Sequence, residues 1–245
     1  MEYIHEPSRD IPIAENSDVV VCGGGPAGVV AAIAAARSGA STRLIEMHGC
    51  MLAWIIDCDN KTGIIKEIIK RLEQKGSSKT ARQCRVLCDV EDMKLLLEEM
   101  CIESGVRVLL HTRFVDAIKN ENGKLTHVIT ESKSGREAWG AKVFIDCTGD
   151  GDVGALAGCS FEIGKQDTGA MQPMSLIALL AGLNQREMEK YNNLNPYTGT
   201  VTAKKLLLEE MERAGADISY KDPALMHLRE EDDVYVLMSN HIHEC

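Results

Sequence analysis

Short apolar runs punctuated by glycine and charge, with no long hydrophobic stretch, set the rhythm of this chain. Asp18-Val-Val-Val-Cys22 is a β-branched run that ends at Gly23-Gly-Gly-Pro-Ala-Gly28, and the Ala-rich stretch from Val29 to Ser38 has helical character. Gly39 stops that helix, and Ser41-Thr-Arg-Leu-Ile-Glu46 reads as a second strand ending on a carboxylate. Strand, tight turn, helix and strand together predict a βαβ unit.

Further on, Ile64, Ile65, Ile68, Ile69 and Leu72 fall at helical intervals and predict a helix over 62–72 with one buried face. Asp89 is placed to cap another helix, with Asp92 at its third position and Met93, Leu96, Leu97 and Met100 as its inner stripe; Gly105 ends it. Val106-Arg-Val-Leu-Leu110 then reads as a buried strand of parallel type, so the sheet continues after two helices. From Phe114 to Lys142 the pattern changes to alternating runs separated by turns at Asn122-Gly123 and Ser134-Gly135, which predicts an inserted antiparallel three-stranded meander. Val143-Phe-Ile-Asp-Cys147 returns to a buried strand, and the small residues Val153 to Gly158 follow as a helix. Beyond Phe161 the pattern weakens. Met174 to Leu183 fits a strand or a buried helix, Ala203 to Ala214 an amphipathic helix, and Asp233 to Met238 a strand.

The expected fold class is therefore α/β: a Rossmann-like, doubly wound parallel sheet with an inserted antiparallel β-meander and a partial second domain. Its expected parts are 1–113 and 143–165 for the nucleotide-binding domain, 114–142 for the meander, and 166–245 for a partial substrate or cap domain.

Composition narrows the partners. At 245 residues and 44% hydrophobic the chain can bury a substantial core. Its 27 Lys and Arg against 37 Asp and Glu give a formal charge of −10, which repels a phosphate backbone, so nucleic acid is not an expected partner. The longest apolar runs fall far short of the roughly 20 residues that span a bilayer, so no membrane partner is expected either. The charged N-terminus does not read as a secretory signal. Nine cysteines form an odd set without a C-x-x-C pair, as expected of inert thiols in a reducing cytoplasm. Oligomeric state is not legible.

The chemistry concentrates at the first turn. Gly23, Gly25 and Gly28 match G-x-G-x-x-G between a strand and a helix, with Glu46 lying 21 positions after Gly25. Gly23 permits the sharp turn, Gly25 lets a pyrophosphate approach the backbone, and Gly28 lets the helix pack close to the strand. Amides at the helix start, around Pro26, Ala27 and Gly28, would point at the phosphates with the helix dipole behind them. Glu46 would accept hydrogen bonds from both ribose hydroxyls and repel a 2′-phosphate. The reading requires those amides to be open and that carboxylate to face the turn. NAD and FAD share this fingerprint.

The return strand separates them. With Gly23-Gly-Gly-Pro-Ala-Gly28 opening the chain and Asp146-Cys-Thr-Gly-Asp150 following a meander, the sequence resembles the FAD-dependent oxidoreductases of the two-dinucleotide-binding-domain flavoprotein class. Arg9-Asp-Ile-Pro12, Ile45-Glu46 and Met171-Gln-Pro-Met174 add to a similarity over about residues 10–183. The resemblance implies FAD as cofactor, with Glu46 on the adenosine ribose and Met47 beside it. It implies main-chain groups of Val115 at the adenine edge, Thr148 and Gly149 toward the pyrophosphate, and Asp150 toward the ribityl chain. It also implies hydride or electron transfer between flavin and a small organic substrate. For Asp152, helix capping is the expected role.

The chain departs from that pattern in two places. His48-Gly-Cys50 runs almost directly into Met51-Leu-Ala-Trp54, where such flavoproteins carry a Gly-rich loop along the flavin. No late segment closes over the flavin, so an incomplete member is expected. Two other readings stand beside the flavoenzyme: an NAD-dependent dehydrogenase, which leaves the meander and the Thr-Gly-Asp return unexplained, and a non-catalytic nucleotide-binding remnant.

The remaining candidates point to structure more than chemistry. Cys50 and Cys58 are not spaced as a close redox pair, and Cys84 and Cys88 lack a second pair to complete a zinc site. His241, His243 and Cys245 read as a solvated tail, and His111 and His127 as surface or capping residues at strand ends. Met171, Gln172 and Pro173 would line the substrate side of the flavin by resemblance, although packing explains Met and Pro as well. No metal site and no general acid or base is expected.

Overall fold

A computed structural model describes residues 2–5, 7–51, 55–57, 62–81, 85–195, 197–228 and 233–240. The chain runs β1 (Ile13–Cys22), α1 (Pro26–Arg37), β2 (Thr42–Ile45), β3 (Ile55–Asp57), α2 (Ile64–Lys75), β4 (Ser78–Ala81), β5 (Arg85–Cys88) and α3 (Val90–Glu103). It continues through β6 (Arg107–Leu109), β7 (Arg113–Lys119), β8 (Leu125–Ser132), β9 (Gly135–Asp146), α4 (Asp152–Leu156) and β10 (Ile177–Leu180). Last come α5 (Gln185–Met188), a 3-10 turn at Glu189–Tyr191, α6 (Thr200–Arg213), β11 (Ala224–His227) and β12 (Tyr235–Met238). Contacts divide it into two units, residues 1–53 with 93–161, and 54–92 with 162–245.

The first unit is built on one six-stranded sheet in the order β6-β2-β1-β9-β8-β7. β6, β2, β1 and β9 run parallel, and β9, β8 and β7 run antiparallel. The fold is Rossmann-like α/β, as the sequence pattern implies. The meander, however, is not a separate insert. Its third run and the return run form the single strand β9, which pairs with β8 over its first half and follows β1 from Ala138 to Asp146. Lys142, which divides the two runs in the sequence, stands 80% exposed inside the strand and pairs with Asp18 of β1 at 2.6 Å. A charged residue whose head lies in water does not interrupt a strand.

Helix α1 starts at Pro26, where the missing N–H costs nothing, and buries Gly28, Val29, Ala32 and Ile33 against β1 and β2. In α3, Met93, Leu96, Leu97, Met100 and Cys101 are buried, and the Asp92 amide donates to Asp89 Oδ1 at 2.9 Å as the capping pattern predicts. The core beside the sheet gathers Val20, Cys22, Ile45, Val128, Trp139 and Val153. Trp139 Nε1–H donates to Thr130 Oγ1 at 2.8 Å, and the Arg43 guanidinium, paired with Glu15, stands 5.2 Å from the indole centre. β6 ends the order of the sheet and is only half-buried, since among the described residues no strand pairs with its outer side.

The second unit holds two three-stranded antiparallel sheets, β3-β5-β4 and β10-β12-β11. Leu87, Ala224, Met226, Leu228 and Val236 form one cluster; Tyr191, Leu207, Leu225 and Tyr235 form another, with His227 stacked on Tyr235 at 4.6 Å. Residues 54–92 therefore fold with this unit, where the pattern placed them inside a continuous 1–113. β3, β4, β5 and β11 carry no clear alternation, being four residues or shorter, so tertiary pairing rather than local pattern makes them strands. The 174–183 segment contains a strand, β10.

Candidate dinucleotide-binding site

The carboxyl ends of β1, β2 and β9 come into register at Cys22, Ile45 and Asp146, and every candidate loop of the first unit leaves from this edge. Ligands of open parallel sheets bind at that edge. Gly23 follows Cys22 with φ +104, and a β-carbon on it would lie 2.3 Å from the Cys147 carbonyl oxygen. A β-carbon on Gly28 would lie 1.8 Å from the Gly23 oxygen. These two glycines let the turn and helix pack. Gly25 differs: a β-carbon there would meet no described residue within 4 Å, so among the described residues nothing fills the space in front of the turn. Gly25 caps α1 with no side-chain bond, and Pro26 and Ala27 are exposed. No described side chain caps the first-turn amides, and Ala27 stands exposed at the positive end of a twelve-residue helix, which suits a diphosphate.

Glu46 is 7% exposed and turned inward. Its Oε2 accepts the Gly24 amide at 2.5 Å and its Oε1 the His48 amide at 2.7 Å. The sequence pattern gives this carboxylate to both ribose hydroxyls; the structure puts a main-chain amide on each of its oxygens first. A carboxylate offers about four acceptor positions, so capacity for hydroxyls remains while the amides fix its direction. Met51, fully buried, lies with Glu46 beneath Gly24, where a β-carbon would meet both at 3.0 Å. Met47 is 53% exposed beside the carboxylate. Residues 52–54, in the shortened segment after Glu46, lie outside the described residues.

The third loop is organised by Asp146. Its Oδ1 accepts the Thr148 hydroxyl at 2.7 Å and the Thr148 amide at 3.1 Å, and its Oδ2 accepts the Gly154 amide at 2.7 Å. Burial pulls the Asp146 carboxyl upward, but the Gly154 amide and the Thr148 hydroxyl and amide outweigh it and hold the group below the usual carboxylate range. Asp152 does not cap α4: Asp146 takes the Gly154 amide, and the Asp152 amide itself donates to Thr148 Oγ1 at 2.8 Å. Asp146 is the structural residue that sequence reasoning missed, and an Asp two positions before Thr-Gly at a strand end was the available signal. Gly149, with φ +92, and Asp150 stand exposed at the loop tip.

Val115 lies on β7 at a bulge: Phe114 pairs with Thr130 and Asp116 with Ile129, leaving Val115 without an opposite residue. A bulge of this kind takes a residue out of the regular ladder. The segment leading to it touches Glu46, since the Thr112 amide donates to the Glu46 carbonyl at 3.0 Å. Gly23–Gly28, Glu46, Met47 and Thr148–Asp150 thus share one edge, with the approach to Val115 beside them. The donor set fits a dinucleotide: an open helix start, a held carboxylate and a glycine with space for phosphate.

Other candidates fall elsewhere. Cys22 is buried, and burial, with Asp146 and Cys147 adding, drives its thiol far above the ordinary range. Cys50 is a free thiol and Cys88 is buried, its thiol 3.9 Å from the Val86 carbonyl oxygen, whereas Cys58, Cys84, His241, His243 and Cys245 lie outside the described residues. Among the described residues no group of three His, Cys, Asp or Glu side chains is placed to hold a metal. His127 Nδ1 sits 3.1 Å from Thr126 Oγ1. Met171, Gln172 and Pro173 belong to the second unit, on an open cleft with Gly164 and Lys165.

Comparison with known proteins extends the geometry. The chain is 30% identical over 141 residues to the tRNA uridine 5-carboxymethylaminomethyl modification enzyme MnmG of Desulfitobacterium hafniense, a match covering 49% of this chain and 22% of that protein. In fold it is similar to the myxobacterial chondrochloren halogenase CndH, an FAD-dependent halogenase, with a TM-score of 0.61 at 14% identity, covering 93% of this chain and 53% of that one. It is also similar to a geranylgeranyl bacteriochlorophyll reductase-like protein of Thermoplasma acidophilum, with a TM-score of 0.57 at 15% identity, covering 92% of this chain and 56% of that one. The chain therefore spans about a fifth of the curated relatives it matches and about half of these structures. Residues 18–231 match the family model described as FAD dependent oxidoreductase, which decides between the two dinucleotides that the glycine turn alone leaves open: the chain belongs to the FAD-dependent oxidoreductase family, and its cofactor is FAD.

Proposed function

We propose that this chain holds FAD at the carboxyl edge of its parallel sheet and transfers hydride or electrons between flavin and a small organic substrate, in a reducing cytoplasm. The observation that carries the reading is the pairing of the open first turn of α1 at Gly25 with the inward-held Glu46. Bound there, the flavin supplies the redox chemistry. The amides of Ala27 and Gly28 would hold the phosphates, with Gly23, Gly25 and Pro26 keeping the turn and helix start clear for them. Glu46 would bind the adenosine ribose, with Met47 alongside and the main chain of Val115 at the adenine edge. Thr148 and Gly149 would flank the pyrophosphate, and Asp150 would reach toward the ribityl chain.

The curated relatives are named for a tRNA modification, but this chain carries a formal charge of −10, which argues for a small molecule rather than nucleic acid as substrate. Among the described residues no helix is long and apolar enough to cross a membrane, and Cys22, Cys50, Cys101, Cys147 and Cys159 are free thiols, in keeping with a reducing compartment.

The visible spectrum of the purified chain tests the reading. We expect a yellow protein whose chromophore, released by heat, is FAD, and no retention of tRNA at physiological salt. A colourless protein that takes up NAD, or neither nucleotide, would overturn it.

A further inference from the structure

Among the described residues, His111 is the one non-glycine residue with positive φ, at +54. A residue carrying a β-carbon adopts that conformation reluctantly, histidine and asparagine less so than most, and glycine adopts it freely, so the backbone does not by itself select histidine. The ring gives a reason. A β-carbon on Gly49 would lie 2.6 Å from His111 Cε1 and 2.8 Å from Nε2, so the imidazole is seated directly on the Gly49 backbone. The His111 amide donates to the His48 carbonyl at 3.1 Å, while the His48 amide donates to Glu46 Oε1 at 2.7 Å. His48 is therefore held at both ends, by Glu46 on one side and His111 on the other. The neighbouring Thr112 amide closes the arrangement on the Glu46 carbonyl at 3.0 Å.

We propose that His111 is a positioning residue for the adenosine end of the cofactor: its ring, seated on Gly49, holds the 47–49 loop and thereby aims the Glu46 carboxylate at the ribose hydroxyls. The proposal rests on the FAD reading above and adds to it a second layer behind Glu46. Asparagine also tolerates positive φ, and glycine prefers it, so His111→Asn and His111→Gly keep the backbone while removing the ring. Gly49→Ala keeps the imidazole but pushes it off its seat.

The test is titration of the purified chain and these variants with FAD, with ADP and with 2′-phosphorylated ADP. The parent should bind FAD and ADP and discriminate against the 2′-phosphate. His111→Asn, His111→Gly and Gly49→Ala should each weaken ADP and FAD by about tenfold. Each should also narrow the preference for ADP over its 2′-phosphorylated form, because that preference reads the aim of Glu46 rather than the stability of the fold. His111→Asn combined with Gly49→Ala should be no weaker than either single change, since both remove one contact. Variants that bind ADP like the parent, or that lose affinity for both nucleotides equally with the preference intact, would overturn the proposal. A parent that binds neither ADP nor FAD would instead overturn the reading of the site on which it rests.

Discussion

Gly23, Gly25 and Gly28 fit a single motif, yet what a β-carbon would meet differs at each. At Gly25 it would meet no described residue within 4 Å, and the residue is extended at φ −67, so Gly25→Val should fold, losing about 1 kcal/mol because valine is a poorer N-cap than glycine. The same change should abolish FAD uptake, measured by spectral titration, because the valine would occupy the phosphate's place. At Gly28 a β-carbon would lie 1.8 Å from a main-chain oxygen. Gly28→Ala must displace α1 from its strand and should lose about 2–3 kcal/mol in urea denaturation, with cofactor binding failing as a consequence. The two variants separate binding from folding within one turn. Asp146 makes a third case. Its bonds to Thr148 and the Gly154 amide join strand to helix, so Asp146→Ala should cost about 1–2 kcal/mol by the same measurement and loosen the loop that carries Gly149 and Asp150.

At the scale of elements, β9 ties the molecule's first unit together by joining the parallel and antiparallel halves of one sheet. Proline within a central strand removes a ladder bond and clashes with its neighbour. Lys142→Pro should therefore cost about 3 kcal/mol or more, although Lys142 is exposed, whereas Lys142→Thr should cost little. A pair of chemical-denaturation curves distinguishes them. The same strand shows where local pattern stops being informative. The alternation of 114–142 and the apolar run of 143–147 each point to strand, but whether they form two strands or one depends on whether Lys142 can reach water and Asp18, a matter of three-dimensional placement. β1, α1 and β2 are legible because their pattern, glycine stops and helix start are all local. β3, β4 and β5 are not, because runs of three or four residues hold as strands only through their partners: β4 takes β5 from just along the chain, but β3 finds β5 only after the whole of α2.

At the scale of the whole molecule, burial and charge set the response to acid and to thiol reagents. Glu15 and Asp146 both titrate below their ordinary values: burial raises each, but Arg43 and Ser17 outweigh it at Glu15 and the amides outweigh it at Asp146. A depressed carboxyl contributes stability that is complete above its unfolded pKa and is lost as pH falls through the folded one. Thermal midpoints should therefore hold steady from neutrality to about pH 5 and fall below about pH 4, and Asp146→Asn should flatten that fall. A midpoint that rises on acidification would contradict these assignments. The thiols should divide by burial. Cys159 is exposed and should react with a thiol reagent in the native protein. Cys22, Cys88 and Cys101 should wait for unfolding, Cys101 with its thiol pushed up to about 11 by burial and the nearby Glu98.

Sequence alone marked the glycine turn and the class of ligand it suits, because a sharp turn, a clear approach to phosphate and a helix start each demand particular residues at particular spacings within a few positions. It also determined that a carboxylate ends the second strand. What that carboxylate does was decided by the tertiary structure, which spends two of its bonds on Gly24 and His48 and braces it with His111, a residue 65 positions later in the chain. Likewise, only folding joined the two runs of β9 and gathered residues 54–92 with 162–245. Local stereochemistry acts between neighbours in the chain and is written in its order; pairing and burial act between neighbours in space, and those are chosen only when the chain has closed on itself.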